Sequence, residues 1–150
     1  MSAIIAALYV ALTYIAYPIS YGGNMIDLRV SEALVVLPFF TPAAVPGLFI
    51  GCMIANLGSP FGILDIVIGS IATLTAAYAT YKIKKPYLAP LPAVISNAFL
   101  VPVTLYLAAG YPYWLNVGLV GLGELICAYG LGLPLLYVLK KYNIFNKINQ

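Results

Sequence analysis

Glu124 makes the strongest demand on its surroundings. It stands deep in an uncharged run, 115–139, where a carboxylate costs ~2.5–3.5 kcal/mol even on a lenient insertion scale. It needs a proton, a partner or a polar cavity, so it is either a ligand-binding carboxylate or a structural acceptor between helices. Asn97 lies mid-way along the preceding apolar run, 88–109. One amide offers both a donor and an acceptor edge, which suits a heterocycle and equally suits ordinary interhelical hydrogen bonding. Tyr129, together with Tyr113 and Trp114, could stack on such a ring, or serve as packing and interfacial aromatics. Glu32 and Asp65 stand beside or within apolar runs, as candidate ligand carboxylates or as interfacial and capping residues. Asp27 and the single arginine, Arg29, lie close to Glu32.

The absence of histidine removes Ser-His-Asp, Cys-His and HExxH chemistry. Cys52 and Cys127 sit in apolar runs without a CxxC spacing, and read as small buried apolar residues, with no metal site and no cofactor expected. No GxxxxGK[ST] loop is present, which excludes that route to nucleotide hydrolysis.

The elements that must position these groups are membrane helices. Of 150 residues 63% are apolar and 7% charged, and the mean hydropathy is +1.01, far from the balance of a soluble domain. Residues 1–21 carry no charge and, at ~1.5 Å per residue, make ~31 Å of helix, which spans a hydrocarbon core. With no basic residue before Arg29, this run reads as a retained helix, not a cleaved signal. Pro18 and Gly22-Gly23 end it, and the alternation over 26–31 predicts an extended segment with one wet face. Prolines break 33–64 into a short helix at about 31–40, a stop at Thr41-Pro42 and a helix at about 43–57. Within the latter, Gly47 and Gly51 permit close helix contact. Further helices are expected at about 62–81, 88–109 and 115–139, followed by a polar tail, 142–150, without fixed structure. The reading is one domain, 1–141: an all-α integral membrane protein with a six-helix bundle.

Lysine sets the orientation. Lys82, Lys84 and Lys85 form one cluster and Lys140, Lys141 and Lys147 the other, with two helices between them. The positive-inside rule puts both clusters, and both termini, in the cytoplasm. The carboxylates and Arg29 then share the outer half. The small net charge of +3 and its split between the two rims do not suit a nucleic-acid partner. On the first helix Ala3, Ala7 and Ala11 recur every fourth residue and form one small-residue face.

The stretch Leu28-Arg29-Val30-Ser31-Glu32-Ala33-Leu34-Val35-Val36-Leu37-Pro38, then Thr41-Pro42-Ala43-Ala44-Val45-Pro46-Gly47-Leu48-Phe49, resembles the QueT family. So do Leu64-Asp65-Ile66-Val67-Ile68-Gly69-Ser70, Leu88-Ala89-Pro90-Leu91-Pro92, Ser96-Asn97-Ala98, Gly121-Leu122-Gly123-Glu124-Leu125 and Leu131-Gly132-Leu133-Pro134-Leu135-Leu136. The resemblance implies a substrate-binding S component of an energy-coupling factor transporter in the plasma membrane. Such a subunit binds its ligand from outside and docks on a transmembrane coupling protein with two ATPases. It implies a queuosine precursor of the 7-deazaguanine type as ligand, and a docking role for Ala3, Ala7 and Ala11. On that basis Glu124 is expected to read the guanine-like edge and Asn97 the neighbouring carbonyl. Glu32 or Asp65 would take the amine, with Arg29 orienting Glu32. An S component for a different small vitamin-like ligand, or a self-contained proton-coupled carrier built on Glu124, are the alternatives to test against it.

Overall fold

A computed structural model describes residues 1–20 and 28–148. Gly22-Gly23 and the first half of the expected extended segment, Ile26 and Asp27 included, lie outside the described residues. The described residues are helical throughout, with no strand among them. Helix α1 runs Ser2–Ile15 and breaks at Ala16; a single turn, α2, Tyr17–Ser20, follows, with Pro18 inside it. Val30–Phe39 is a 3₁₀ helix, so the segment expected to be extended is already helical from Val30. Then come α3, Ala44–Ala55, continued by a 3₁₀ turn to Gly58, and α4, Ile63–Lys82. Helix α5, Leu91–Ala109, stops at Gly110, whose φ of +70° is a left-handed conformation that glycine adopts at least cost. The last long helix runs Tyr113–Lys141 as α6, Tyr113–Glu124, a π-helical stretch Leu125–Gly132, and α7, Leu133–Lys141. The tail holds a short helix, α8, Ile144–Ile148, and Phe145 stacks on Phe40 at 5.2 Å between ring centres. An apolar ring anchors a segment that by polarity alone looked unstructured.

Among the described residues three helices are long and apolar enough to cross a membrane: Ile63–Lys82, Pro86–Ala109 and Tyr113–Lys141. Three more apolar helices are shorter: Ser2–Ile15, Val30–Phe39 and Ala44–Gly58. The 3₁₀ helix rises ~2.0 Å per residue, so it reaches further than an α-helix of equal length, ~20 Å. Runs of that length are uncommon in 3₁₀ form, and this one is supported on all sides: Ser31 to Pro38 are all buried. It is the central strut of the fold, which explains why it is apolar all round and not amphipathic.

Helices α1 and α3 run parallel and in close contact. A Cβ at Gly47 would lie 2.8 Å from the Ser2 carbonyl oxygen, and one at Gly51 would lie 2.9 Å from Tyr9 Cβ. The Gly47/Gly51 spacing therefore does what it predicted. Helices α4 and α5 are antiparallel, tied by Ser96 Oγ donating to the Ala72 carbonyl at 2.9 Å and Thr80 Oγ1 to the Ala89 carbonyl at 3.0 Å. Ser2 Oγ donates to the Ala43 carbonyl at 2.8 Å, and Val36, Ala89 and Leu136 pack together with Phe39 and Phe40. The start of α1, the 40–43 turn, the lysine-bearing α4–α5 connection and α8 thus gather at one end. Arg29, Asn56, Asp65 and the start of α6 are at the other. The outer surface keeps large apolar side chains exposed, among them Ile4, Ile15, Ile63, Ile95 and Leu115, as lipid contact requires. Cys52 and Cys127 are buried, as expected of small apolar residues.

Candidate functional site

Val35, Ala76, Ala93, Val94 and Ala128 meet in one buried layer, with Tyr129 packed against it. Glu32, Asn97 and Glu124 each stand three or four positions from a member of that layer, on the same side of it, away from the lysine end. Helical spacing therefore stacks all three one turn above the layer. Each is buried: Glu32 1% exposed, Asn97 4%, Glu124 4%. Gly121, one turn before Glu124, faces Ala98, and a Cβ there would meet that of Ala98 at 3.4 Å. The turn of α6 that carries Glu124 therefore lies against the turn of α5 that carries Asn97.

Glu32 is the hub. Tyr9 on α1 donates its hydroxyl to Oε1, and Asn97 Nδ2 donates to Oε2 at 3.3 Å. One turn outward, Thr13 Oγ1 lies 2.8 Å from Ser31 Oγ in a second buried link between α1 and the 3₁₀ helix. Tyr9 of α1 and Asn97 of α5 thus hold the Glu32 carboxylate in place before any ligand arrives. Such preorganisation lowers the ordering cost of binding.

Arg29 does different work. Its Nη2 pairs with Asp65 Oδ2 at 3.4 Å, and its Nη1 donates to Asn56 Oδ1 at 3.4 Å. Asn56 Nδ2 in turn donates to the Asp65 carbonyl oxygen at 2.9 Å. All three residues are buried. Gly69 makes the room: a Cβ there would stand 2.7 Å from Asn56 Nδ2. This network ties the entry to the 3₁₀ helix to the end of α3 and the start of α4. Asp65 is engaged by Arg29, so of the two carboxylates considered for a ligand amine, Glu32 is the one beside Asn97.

Tyr129 lies at the rim of the apolar layer, one turn below Glu124. Trp114 is not brought to the cluster: it is 77% exposed in the first turn of α6, edge-on to Tyr113 at 5.2 Å. Ala3, Ala7 and Ala11 are exposed along one face of α1, while Ile5, Tyr9 and Thr13 on the other face are buried. A cavity of about 240 Å³ opens at the lysine end between Phe39, Phe40, Leu139 and Phe145, on the far side of the apolar layer from Glu32. No group of His, Cys, Asp and Glu suited to a metal ion occurs among the described residues.

Tyr9, Ser31 and Asn56 are the polar partners that sequence reading passed over. The available signal was modest: Tyr9 and Thr13 are polar groups four apart on an otherwise apolar helix, a single face. Asn56 sits at the end of the helix expected at about 43–57 and resembles a helix stop.

A curated relative from Lactococcus lactis subsp. cremoris (strain MG1363), described as "Queuosine precursor transporter QueT", is 45% identical over 74 residues. That match covers 48% of this chain and 42% of the relative, so the aligned region spans less than half of the relative's length. No solved structure matches. The family model described as "QueT transporter" matches residues 1–141, from the start of α1 to the end of α7. The chain belongs to the QueT transporter family, and is a membrane protein.

Proposed function

We propose that this chain is the substrate-binding membrane subunit, the S component, of an energy-coupling factor transporter, and that it imports a 7-deazaguanine precursor of queuosine. What supports the reading is the buried Glu32–Asn97 hydrogen bond, together with a buried Glu124 one turn from the same apolar layer, in a family of transporters with a curated relative named for queuosine precursors. A guanine-like edge presents a ring N–H beside an exocyclic amine. One carboxylate accepts both in a charge-assisted bidentate pair, and Glu124 takes that role. Asn97 donates to or accepts from the neighbouring ring carbonyl or N–H. An aminomethyl substituent is cationic near neutral pH, and Glu32 is the carboxylate for it, because Arg29 already neutralises Asp65. Tyr129 contributes to the apolar floor beneath the ring.

The six apolar helical segments act as six crossings, the three short ones thinning the membrane locally. Both termini and the lysine clusters face the cytoplasm, and the acidic site opens outward. The exposed Ala3, Ala7 and Ala11 face of α1 takes the transmembrane coupling protein, which brings the two ATPases. The chain itself carries out no chemistry in this scheme.

Uptake of labelled 7-aminomethyl-7-deazaguanine, measured in cells with and without the coupling module, tests the proposal. Uptake that needs the module is expected. Uptake by this chain alone would replace the S-component reading with a self-contained carrier using Glu124. A purified protein that binds no deazaguanine by calorimetry would remove the substrate claim.

A further inference from the structure

Thr104 holds a buried hydroxyl that the fold does not use. The residue is 1% exposed, and its Oγ1 has no hydrogen-bond partner among the described residues. Threonine within a helix ordinarily returns its hydroxyl to a backbone carbonyl one turn back. Elsewhere in this fold that happens: Thr13 reaches the Tyr9 carbonyl at 2.9 Å and Thr75 the Ile71 carbonyl at 2.8 Å. Thr80 satisfies its hydroxyl across a helix contact instead. A buried polar atom without a partner is uncommon in native proteins and calls for a specific cause.

Its place on α5 supplies one. Asn97, Val101 and Thr104 recur at four- and three-residue spacing, so they share one face, and all three are buried. Seven residues at ~1.5 Å put Thr104 ~10 Å from Asn97 along α5, toward the end where Arg29 and Asp65 lie. This face leads inward from the acidic end to the Glu32–Asn97 pair, with Val101 as its apolar wall.

We infer that Thr104 is a ligand contact: the binding site runs along α5 from Asn97 to Thr104, and the Thr104 hydroxyl bonds a polar group that an elongated heterocycle carries beyond the amine held at Glu32. The inference rests on the ligand-binding reading above and deepens it, because it assigns the site's length and its outer polar end. A base whose amine ends at Glu32 is too short to reach Thr104; one whose amine bears a further hydroxylated chain reaches it.

The test uses the full chain purified in detergent, with 7-aminomethyl-7-deazaguanine and its N-(2-hydroxyethyl) derivative as probes in calorimetry. Thr104→Val keeps the shape and deletes the hydroxyl. It is expected to lower affinity for the hydroxyethyl derivative several-fold, up to about tenfold, and to leave the plain aminomethyl base within about twofold. Thr104→Ser is expected to retain most of the lost affinity. The melting temperature of ligand-free Thr104→Val should stay the same or rise, because an unsatisfied hydroxyl is removed from the interior. Equal affinities in Thr104→Val and the unmodified protein would overturn the inference, as would a lower melting temperature of the variant. An unmodified protein that binds neither probe would overturn the transport reading and this inference together; normal binding that Thr104→Val does not alter overturns only the latter.

Discussion

Asn97 donates through Nδ2 to Glu32 Oε2 at 3.3 Å, a contact that closes 65 positions of sequence. It joins the middle of α5 to the first turn of the central 3₁₀ helix, and both residues are buried. Asn97→Asp puts a second carboxylate against Glu32. Loss of a buried hydrogen bond costs ~1–3 kcal/mol, and the added like charge increases that. Thermal unfolding in detergent should show a clear drop in midpoint; a variant as stable as the parent would dissociate this pair from the fold's stability.

Arg29 and Asp65 form a buried ion pair supported by Asn56. Removal of one partner strands the other charge, a loss of ~3–5 kcal/mol in comparable buried pairs. Asp65→Ala should be severely destabilising. The double variant Arg29→Met with Asp65→Leu should regain much of that loss, because replacing both charges with apolar groups removes two desolvation costs. Denaturation of the two variants side by side checks the ordering; a double variant worse than the single one would contradict it.

Gly51 admits Tyr9 at a distance no side chain at that position would tolerate. Gly51→Val should separate α1 from α3, at a cost of about 1–3 kcal/mol for overpacking, and should disturb the Tyr9 hydroxyl that holds Glu32. Gly118 on α6 is the control, since a Cβ there meets nothing within 4 Å. Gly118→Ala should be neutral or stabilise slightly through helix propensity, by up to about 1 kcal/mol. Equal melting temperatures for the two variants would argue against close α1–α3 packing.

With Glu32 as the carboxylate for the ligand's amine, as proposed, a cationic ligand is favoured. In competition binding, 7-aminomethyl-7-deazaguanine should outcompete the neutral hydroxymethyl and cyano analogues by about tenfold or more, the weight of one charge-assisted hydrogen bond. Glu32→Gln should shrink that preference while Glu124→Gln weakens all three ligands. Calorimetry is the right readout, because Trp114 lies exposed and away from the cluster. A preference that survives Glu32→Gln would move the cation subsite elsewhere.

Ala7 is exposed on α1, on the face opposite the buried Ile5 and Tyr9. Ala7→Trp should leave ligand affinity unchanged and abolish uptake that depends on the coupling module. Normal uptake by this variant would place the docking surface on another helix.

Local rules settle much of this protein. Long uncharged runs can satisfy their backbone only as helices in lipid, so α4, α5 and the Tyr113–Lys141 helix are legible within a few residues. Proline and glycine mark the stops at Thr41-Pro42 and Gly110, while α1 ends at Ile15, ahead of the stop expected at Pro18; the Gly47/Gly51 spacing announces close packing before its partner is known. The charge of a lone carboxylate in an apolar run makes Glu124 a candidate by energy alone. Three things came only with tertiary structure. Val30–Phe39 is 3₁₀ because neighbours on every side hold it so; its sequence has no period that distinguishes it from an α-helix. Arg29 joins Asp65 and Asn56, and Tyr9 joins Glu32, because a partner choice between residues tens of positions apart depends on which helix faces meet. The same reason hides Thr104: in sequence it is one hydroxyl among many, and only the packed helix shows that its hydrogen bond is left for something else to make.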